Sequence, residues 1–112
     1  MRWDDETVER VRRILSKKHR FIEKRMIGGL SFLVGGKLCC GVNRPGLLVR
    51  IGPEVRKRVL EKPHVHPVKL AGRTVSSFVR VDPEAYCTDA ALAKWLQGGV
   101  KYALAASRKA GE

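Results

Sequence analysis

The segment from Glu23 to Glu54 constrains the fold of this chain most strongly, because two diglycines and a Pro-Gly step divide it into short apolar runs. Glycine and proline at this spacing exclude a long helix and favour three short strands joined by tight turns. Gly35-Gly36 fits a two-residue hairpin turn, since such turns require positive φ, which glycine adopts without steric cost. The turn at 43–46 has the sequence Asn-Arg-Pro-Gly, and we expect Gly46 to take a left-handed conformation there.

The apolar pattern on either side of these turns predicts the remaining elements. Val8, Val11 and Leu15 recur at helical spacing and indicate an amphipathic first helix over Asp5 to Lys18, with Asp4 or Asp5 as its N-cap. Thr88 is expected to cap a long last helix from Asp89 to about Arg108. The apolar runs that predict strands are Phe21 to Ile27, Leu30 to Val34, Leu38 to Val42, Leu47 to Ile51, Val65 to Leu70 and Val75 to Val81, and a short helix covers Glu54 to Glu61.

These elements predict the α+β class, as a two-layer domain in which helices pack on an antiparallel sheet. The expected order is α-β-β-β-α-β-β-α, which counts three strands between the first helix and the short one. The chain length suits a single domain over residues 1–112.

Positive charge is the one unusual feature of the composition. The chain has 23 Lys and Arg against 11 Asp and Glu, a formal net charge of +12. Such a balance favours a polyanionic partner, through phosphate contacts and counterion release. A basic, solvated surface without a binding role is the alternative interpretation.

Compartment and thiol chemistry follow from the apolar runs and the cysteines. No apolar run approaches the roughly 20 residues of a membrane helix, and the charged N-terminus lacks the apolar core of a secretory signal. We therefore expect a cytoplasmic protein without membrane contact. The three cysteines, two of them adjacent at Cys39 and Cys40, are expected to be reduced thiols. Strand alternation predicts that one of the adjacent pair points inward and the other outward.

An ordered series of short motifs carries a family resemblance. In the order and spacing of these motifs the chain resembles the N-terminal domain of TfoX (Sxy), a regulator of natural competence. The motifs are Glu23-Lys24, Met26, Gly28-Gly29, Phe32, Val34, Cys39-Cys40-Gly41, the run Val49 to Glu54, Pro63, Pro67, Gly72-Arg73 and Val79 to Pro83.

The resemblance implies an α+β domain and a role as a transcriptional co-regulator. Full-length members act with the cyclic AMP receptor protein at competence promoters. They also carry a second, C-terminal domain, so we expect a stand-alone N-terminal domain here, for which a role in competence does not follow automatically.

Two basic clusters are the candidates for nucleic-acid binding through phosphate contacts. No helix-turn-helix or RNA-recognition signature accompanies them, and Phe32 and Phe78 are expected in the core and not as stacking platforms. The clusters are Arg10, Arg13, Lys17, Lys18 and Arg20 around the first helix, and Arg56, Lys57 and Arg58 in the short helix.

His64 and His66 form the best candidate metal pair, because alternate residues of a strand project from the same face. Cys39, Cys40 and Cys87 are the thiols that could complete a site, but none has the paired spacing of a zinc ribbon or finger. A polar edge strand is the other interpretation of the histidines. Redox or nucleophilic use of a thiol would require a nearby base or cation.

The sequence thus predicts a non-enzymatic regulatory or interaction module without a cofactor, as a monomer or homodimer. We expect it to act in transcription control through a protein partner, with electrostatic contact to DNA. The alternative is a small thiol or metal-binding protein that uses Cys39, Cys40, His64 and His66.

Overall fold

A computed structural model describes residues 3–26, 28–44 and 46–110 of the chain. The first helix, α1, spans Asp5–Ser16, and the short 3-10 helix before the last α-helix spans Pro83–Tyr86. The other elements are β1 (Ile22–Met26), β2 (Gly29–Val34), β3 (Lys37–Val42), β4 (Leu47–Arg50), α2 (Arg56–Leu60), β5 (Val65–Leu70), β6 (Arg73–Val81) and α3 (Asp89–Ala110).

The six strands form one sheet in the order β1-β2-β3-β4-β6-β5, and every neighbouring pair is antiparallel. The predicted α+β class is therefore confirmed. The predicted order has one strand too few, because β1 to β4 all precede α2. All four runs predicted as strands before α2 are nevertheless present, and the first of them, β1, pairs along its whole length with β2 although four of its five side chains are exposed.

Helix α1 forms where the sequence places an apolar stripe behind an acidic start. Asp4 is the N-cap: its carboxylate accepts a hydrogen bond from the backbone N–H of Glu6 at 3.3 Å and one from the Thr7 hydroxyl at 2.7 Å. Val8, Val11 and Leu15 are buried, as predicted. Among the described residues, no helix is both long enough and apolar enough to cross a membrane.

The turns agree with prediction at one glycine site and differ at another. Gly35 and Gly36 have φ of +62° and +79°, which confirms the two-residue hairpin turn between β2 and β3. Gly46 is not in the left-handed region, so that prediction was wrong. Gly46 is required by close packing instead, because a Cβ there would lie 2.2 Å from the Val81 carbonyl oxygen. Two residues of predicted elements, Ile27 and Pro45, lie outside the described residues.

The two faces of the sheet have different partners. The main core lies between the sheet and the helices, and it includes Phe32 from β2 and Leu92 from α3, both fully buried. A smaller cluster on the other face contains Phe78 and the neighbouring side chains of β3, β4 and β5. Both phenylalanines are therefore core residues, as predicted.

Cys39 and Cys40 both lie fully buried in the main core, so the prediction that one would point outward was wrong. The pairing of β2 with β3 shifts register here: Phe32 lies opposite Cys40, and Leu33 lies opposite Leu38. Cys39 is left without a partner in the ladder. Strand alternation breaks at such an irregularity, which is why a simple alternating pattern misassigns the pair.

Helix α3 has two adjacent glycines, and only Gly99 lies against the sheet. A Cβ at Gly99 would lie 2.7 Å from the Cys39 carbonyl oxygen, so the helix approaches β3 closely only because this side chain is absent. A Cβ at Gly98 would meet nothing within 4 Å. The predicted cap is confirmed, since the Thr88 hydroxyl accepts a hydrogen bond from the backbone N–H of Ala91 at 3.1 Å.

Alanine at the two glycines should therefore have opposite effects on stability. Gly98→Ala should raise the free energy of unfolding by up to about 1 kcal/mol, because it improves helix propensity and enters open space. Gly99→Ala should lower it by roughly 1–3 kcal/mol, because the added methyl forces β3 and α3 apart. Urea denaturation of both variants measures the difference, and a stabilising Gly99→Ala would contradict the close approach.

Candidate interaction site

The three α-helices form a layer on one face of the sheet, with α3 in the middle. A cavity of about 320 Å³ separates α3 from α1, and we call it the α1–α3 groove. A cavity of about 480 Å³ separates α3 from α2, and we call it the α2–α3 groove. The outer surface of this helix layer is therefore two grooves on either side of one long helix.

Asp89, at the start of α3, binds two of the predicted DNA-contacting arginines. Its carboxylate accepts hydrogen bonds from Arg10 Nε at 3.0 Å and from Arg13 at 2.7 Å. These bonds hold the pKa of Asp89 below its ordinary value. Arg10 also donates to the Tyr86 carbonyl at 2.8 Å. It therefore connects α1 to the end of the 3-10 helix and, through Asp89, to the start of α3. The structure thus places Arg10 and Arg13 in contacts that hold helices together.

Arg56 is the third predicted site residue with internal contacts. Its guanidinium donates to the carbonyl of Ser76 at 3.1 Å and to that of Phe78 at 3.4 Å, and so joins α2 to β6. The other predicted cations are exposed and form no ion pair with any described residue. They are Lys17, Lys18 and Arg20 after the end of α1, and Lys57 and Arg58 in α2.

The grooves contain cations that the sequence reasoning missed. Lys62 and Lys94 line the α2–α3 groove. Arg50, at the end of β4, is also a lining residue, but its guanidinium lies over the Phe78 ring in the cluster on the other face of the sheet. The ammonium of Lys62 lies 5.8 Å from the centre of the Trp95 ring. One sequence signal could have indicated this surface, because residues 91, 94, 95, 98 and 102 follow a helical stripe on α3 that mixes small, aromatic and cationic side chains.

Carboxylates are scarce along the same grooves. Apart from Arg50, the cations among the described residues that line the two cavities are Lys17, Lys18, Lys62 and Lys94. The one acidic lining residue is Asp89, which Arg10 and Arg13 already engage. The outer surface of the helix layer therefore presents positive charge with little internal compensation.

The candidate metal residues are not brought together. His64 has φ of +66° and precedes β5, so it does not share a strand face with His66 as expected. His66 instead forms a hydrogen bond with the Asp82 carboxylate, with 2.7 Å between Nε2 and Oδ2. In residues 3–26, 28–44 and 46–110 no group of three or more His, Cys, Asp or Glu is placed to hold a metal ion.

The Cys40 thiol lies in an environment that opposes its ionisation. A hydrogen bond with Cys39, together with complete burial, raises the pKa of the Cys40 thiol well above its ordinary value. The thiolate is the nucleophilic form of cysteine. Cys40 is therefore protonated at neutral pH and serves as a small core residue.

The fold and this surface define a small basic α+β domain with two cationic grooves. A family model described as the TfoX N-terminal domain matches residues 13–103. The chain belongs to the TfoX N-terminal domain family, as the ordered motifs predicted. No curated protein matches the chain.

Asp89 makes part of the stability of the domain dependent on pH. Because its folded pKa is lowered, the stabilisation is present above the unfolded value, about 3.9 for aspartate, and is lost as pH falls through the folded pKa. Asp89→Asn should therefore lower the melting temperature at neutral pH and make it less sensitive to acid. Melting curves across the acid range test this, with the exposed Glu84→Gln as a control. A constant difference between Asp89→Asn and the parent at every pH would exclude this role.

Proposed function

We propose that this domain is a non-enzymatic interaction module of transcription control in the cytoplasm. It binds a protein partner and contacts DNA phosphates through the positively charged surface of its helix layer. Membership of the TfoX N-terminal domain family supports the regulatory role, and the distribution of charge supports the electrostatic contact.

One observation carries the proposal: four lysines (Lys17, Lys18, Lys62 and Lys94) line the two grooves beside α3, against a single carboxylate that is already paired. Unpaired cations on one surface add their fields, so they attract a polyanion more strongly than the same charges scattered over the molecule. Each phosphate contact also releases condensed counterions, which makes the affinity fall steeply with salt.

The geometry also separates the cations that could contact DNA from those that hold the fold. Arg10, Arg13 and Arg56 have internal acceptors, so their loss would disturb helix packing before it could report on binding. Lys17 and Lys18 lie at the α1–α3 groove and are exposed. Together with Lys57 and Arg58, they are the predicted residues whose substitution should change DNA binding without disturbing helix packing.

Neutralising these four exposed residues should weaken DNA binding. The variant combines Lys17→Gln, Lys18→Gln, Lys57→Gln and Arg58→Gln, which lowers the net charge from +12 to +8, that is 12 − 4. The slope of log K against log salt should become shallower by about 0.9 for each phosphate that the variant no longer neutralises. Fluorescence anisotropy with a labelled duplex at several salt concentrations measures both quantities.

A matched control removes the same charge from the strands and turns. Lys24→Gln, Arg44→Gln, Lys69→Gln and Arg73→Gln change four other exposed cations. Loss of binding in the helix variant alone supports the helix layer as the DNA-contacting surface. An equal loss in both variants shows that only net charge matters and overturns the assignment.

The protein partner has a separate test. Affinity capture from native lysate, with and without nuclease, distinguishes direct protein contacts from those bridged by nucleic acid. A nuclease-resistant partner that the helix variant no longer retains supports binding through the same surface. The absence of any such partner would contradict the protein-binding half of the proposal.

A further inference from the structure

The sheet face opposite the helices carries a small pocket that the proposed function does not use. Its volume is about 180 Å³, and residues of β5 and of the turn at 43–46 line it. Leu48 and Val68 are lining residues as well, and both belong to the cluster on that face of the sheet. We call this cavity the sheet-face pocket.

Arg80 lines the pocket as a half-buried cation without a partner. It lies opposite Leu48 in the pairing of β4 with β6, so the two side chains project from the same face. No carboxylate of a described residue lies within ion-pairing distance of it, and Asp82 is hydrogen-bonded to His66. A guanidinium that has lost part of its water without gaining a counterion gains more from an incoming anion than an exposed one does.

Two buried polar atoms without a hydrogen-bond partner belong to residues of this pocket. They are Arg80 Nε and Asn43 Oδ1, and no other side-chain nitrogen or oxygen of the described residues is buried without a partner. Buried polar atoms are rarely left unpaired, so the occurrence of both at one small cavity calls for an explanation. One is a donor and the other an acceptor, so a ligand that suits the pocket must both accept and donate hydrogen bonds.

The surroundings of the pocket carry positive charge and no acid. Arg44 and Lys69 line it, are exposed, and form no ion pair with any described residue. No Asp or Glu is among its described lining residues, and strands β2 to β6 contain none in their sequences. Cations of one sign around a concave surface attract an anion.

The size of the pocket limits which anion it can hold. Sites for drug-sized organic molecules typically have volumes of about 300–1,000 Å³. The sheet-face pocket is smaller, at about 180 Å³. It therefore suits a single small oxyanion better than a nucleotide or a larger organic acid.

We propose that the sheet-face pocket binds inorganic phosphate. The charged phosphate oxygens accept hydrogen bonds from the Arg80 guanidinium, and Arg44 and Lys69 add positive charge at the rim. The hydroxyl that inorganic phosphate keeps at neutral pH donates to Asn43 Oδ1. Sulfate and the phosphodiester of DNA have no such hydroxyl at this pH, so they would leave the buried acceptor unpaired.

Three probes separate charge from hydrogen bonding: inorganic phosphate, sulfate, and dimethyl phosphate as a small phosphodiester. Proton–nitrogen NMR at constant ionic strength follows the backbone amides of Arg44 and Lys69 and the Nε–H of Arg80, which is identified by its loss in Arg80→Gln. Phosphate should shift these signals saturably with a dissociation constant below about 1 mM, and the other two probes should bind at least about tenfold more weakly.

Single substitutions test the role of each lining residue. Arg80→Gln should weaken phosphate binding at least about tenfold, and Asn43→Ala should bring phosphate and sulfate to within about threefold of each other. Lys69→Gln should weaken binding at least about threefold, while the matched Arg73→Gln should change it less than about twofold. Lys69 and Arg73 are both exposed cations of the β5–β6 hairpin, but Arg73 does not line the pocket. This pair decides the outcome if Arg80→Gln fails to fold.

The two multiple variants of the DNA test separate the pocket from the helix layer. The strand-and-turn variant removes Arg44 and Lys69, so it should weaken phosphate binding at least about tenfold while it keeps DNA binding. The helix variant changes no residue that lines the sheet-face pocket, so it should bind phosphate within about twofold of the parent. Phosphate binding and DNA binding can therefore fail independently of each other.

Several results would overturn the proposal. They are no saturable shift with phosphate up to about 10 mM, equal binding of sulfate in the parent, or unchanged phosphate binding in both Lys69→Gln and the strand-and-turn variant. Loss of phosphate binding in the helix variant alone would place the anion in the helix layer and reject the sheet-face pocket.

Discussion

The close approach of α3 to β3 is the contact on which the rest of this structure depends. Gly99 lies against the Cys39 carbonyl, where a Cβ would come within 2.7 Å of the oxygen. This approach brings α3 against the backbone and the Sγ of Cys39, which is fully buried, and sets the depth at which α3 lies on the sheet. Because α3 separates the other two helices, its position also defines the two grooves beside it. The absence of a side chain at Gly99 therefore affects both the packing of the core and the position of the two grooves.

Charge in this domain has two distinct uses. Some cations hold elements together: Arg10 and Arg13 join α1 to the start of α3 through Asp89, and Arg56 joins α2 to β6. Others have no acidic partner among the described residues: some lie along the helix layer, some on strands and turns, and Arg50 packs on Phe78 on the other face of the sheet. The net charge of +12 is the sum of both groups, so it overstates how many cations are available to a partner.

Most of the fold could be predicted because its signals are local. The diglycine turn, the Thr88 cap and the apolar stripe of α1 each depend on residues within a few positions of one another, and the structure confirms all three. The errors came from pairing and packing between strands. Gly46 is required by the carbonyl of Val81, and the cysteine pair is turned inward by a register shift against β2. Neither neighbour can be identified from spacing along the chain.

In the candidate site, too, some features follow from the sequence and others only from the tertiary structure. Sequence alone determined the family, the element types and the excess of positive charge, because these follow from composition and short-range pattern. Only the tertiary structure decided which cations are engaged and which are free, since Arg13 and Lys17 look equivalent on one helix face until Asp89 is brought to one of them. It also decided that the Arg50 guanidinium lies over the Phe78 ring and that Gly98, unlike Gly99, faces open space. Ion pairing and cavity formation depend on distances between segments far apart in the chain, and those distances are set by packing.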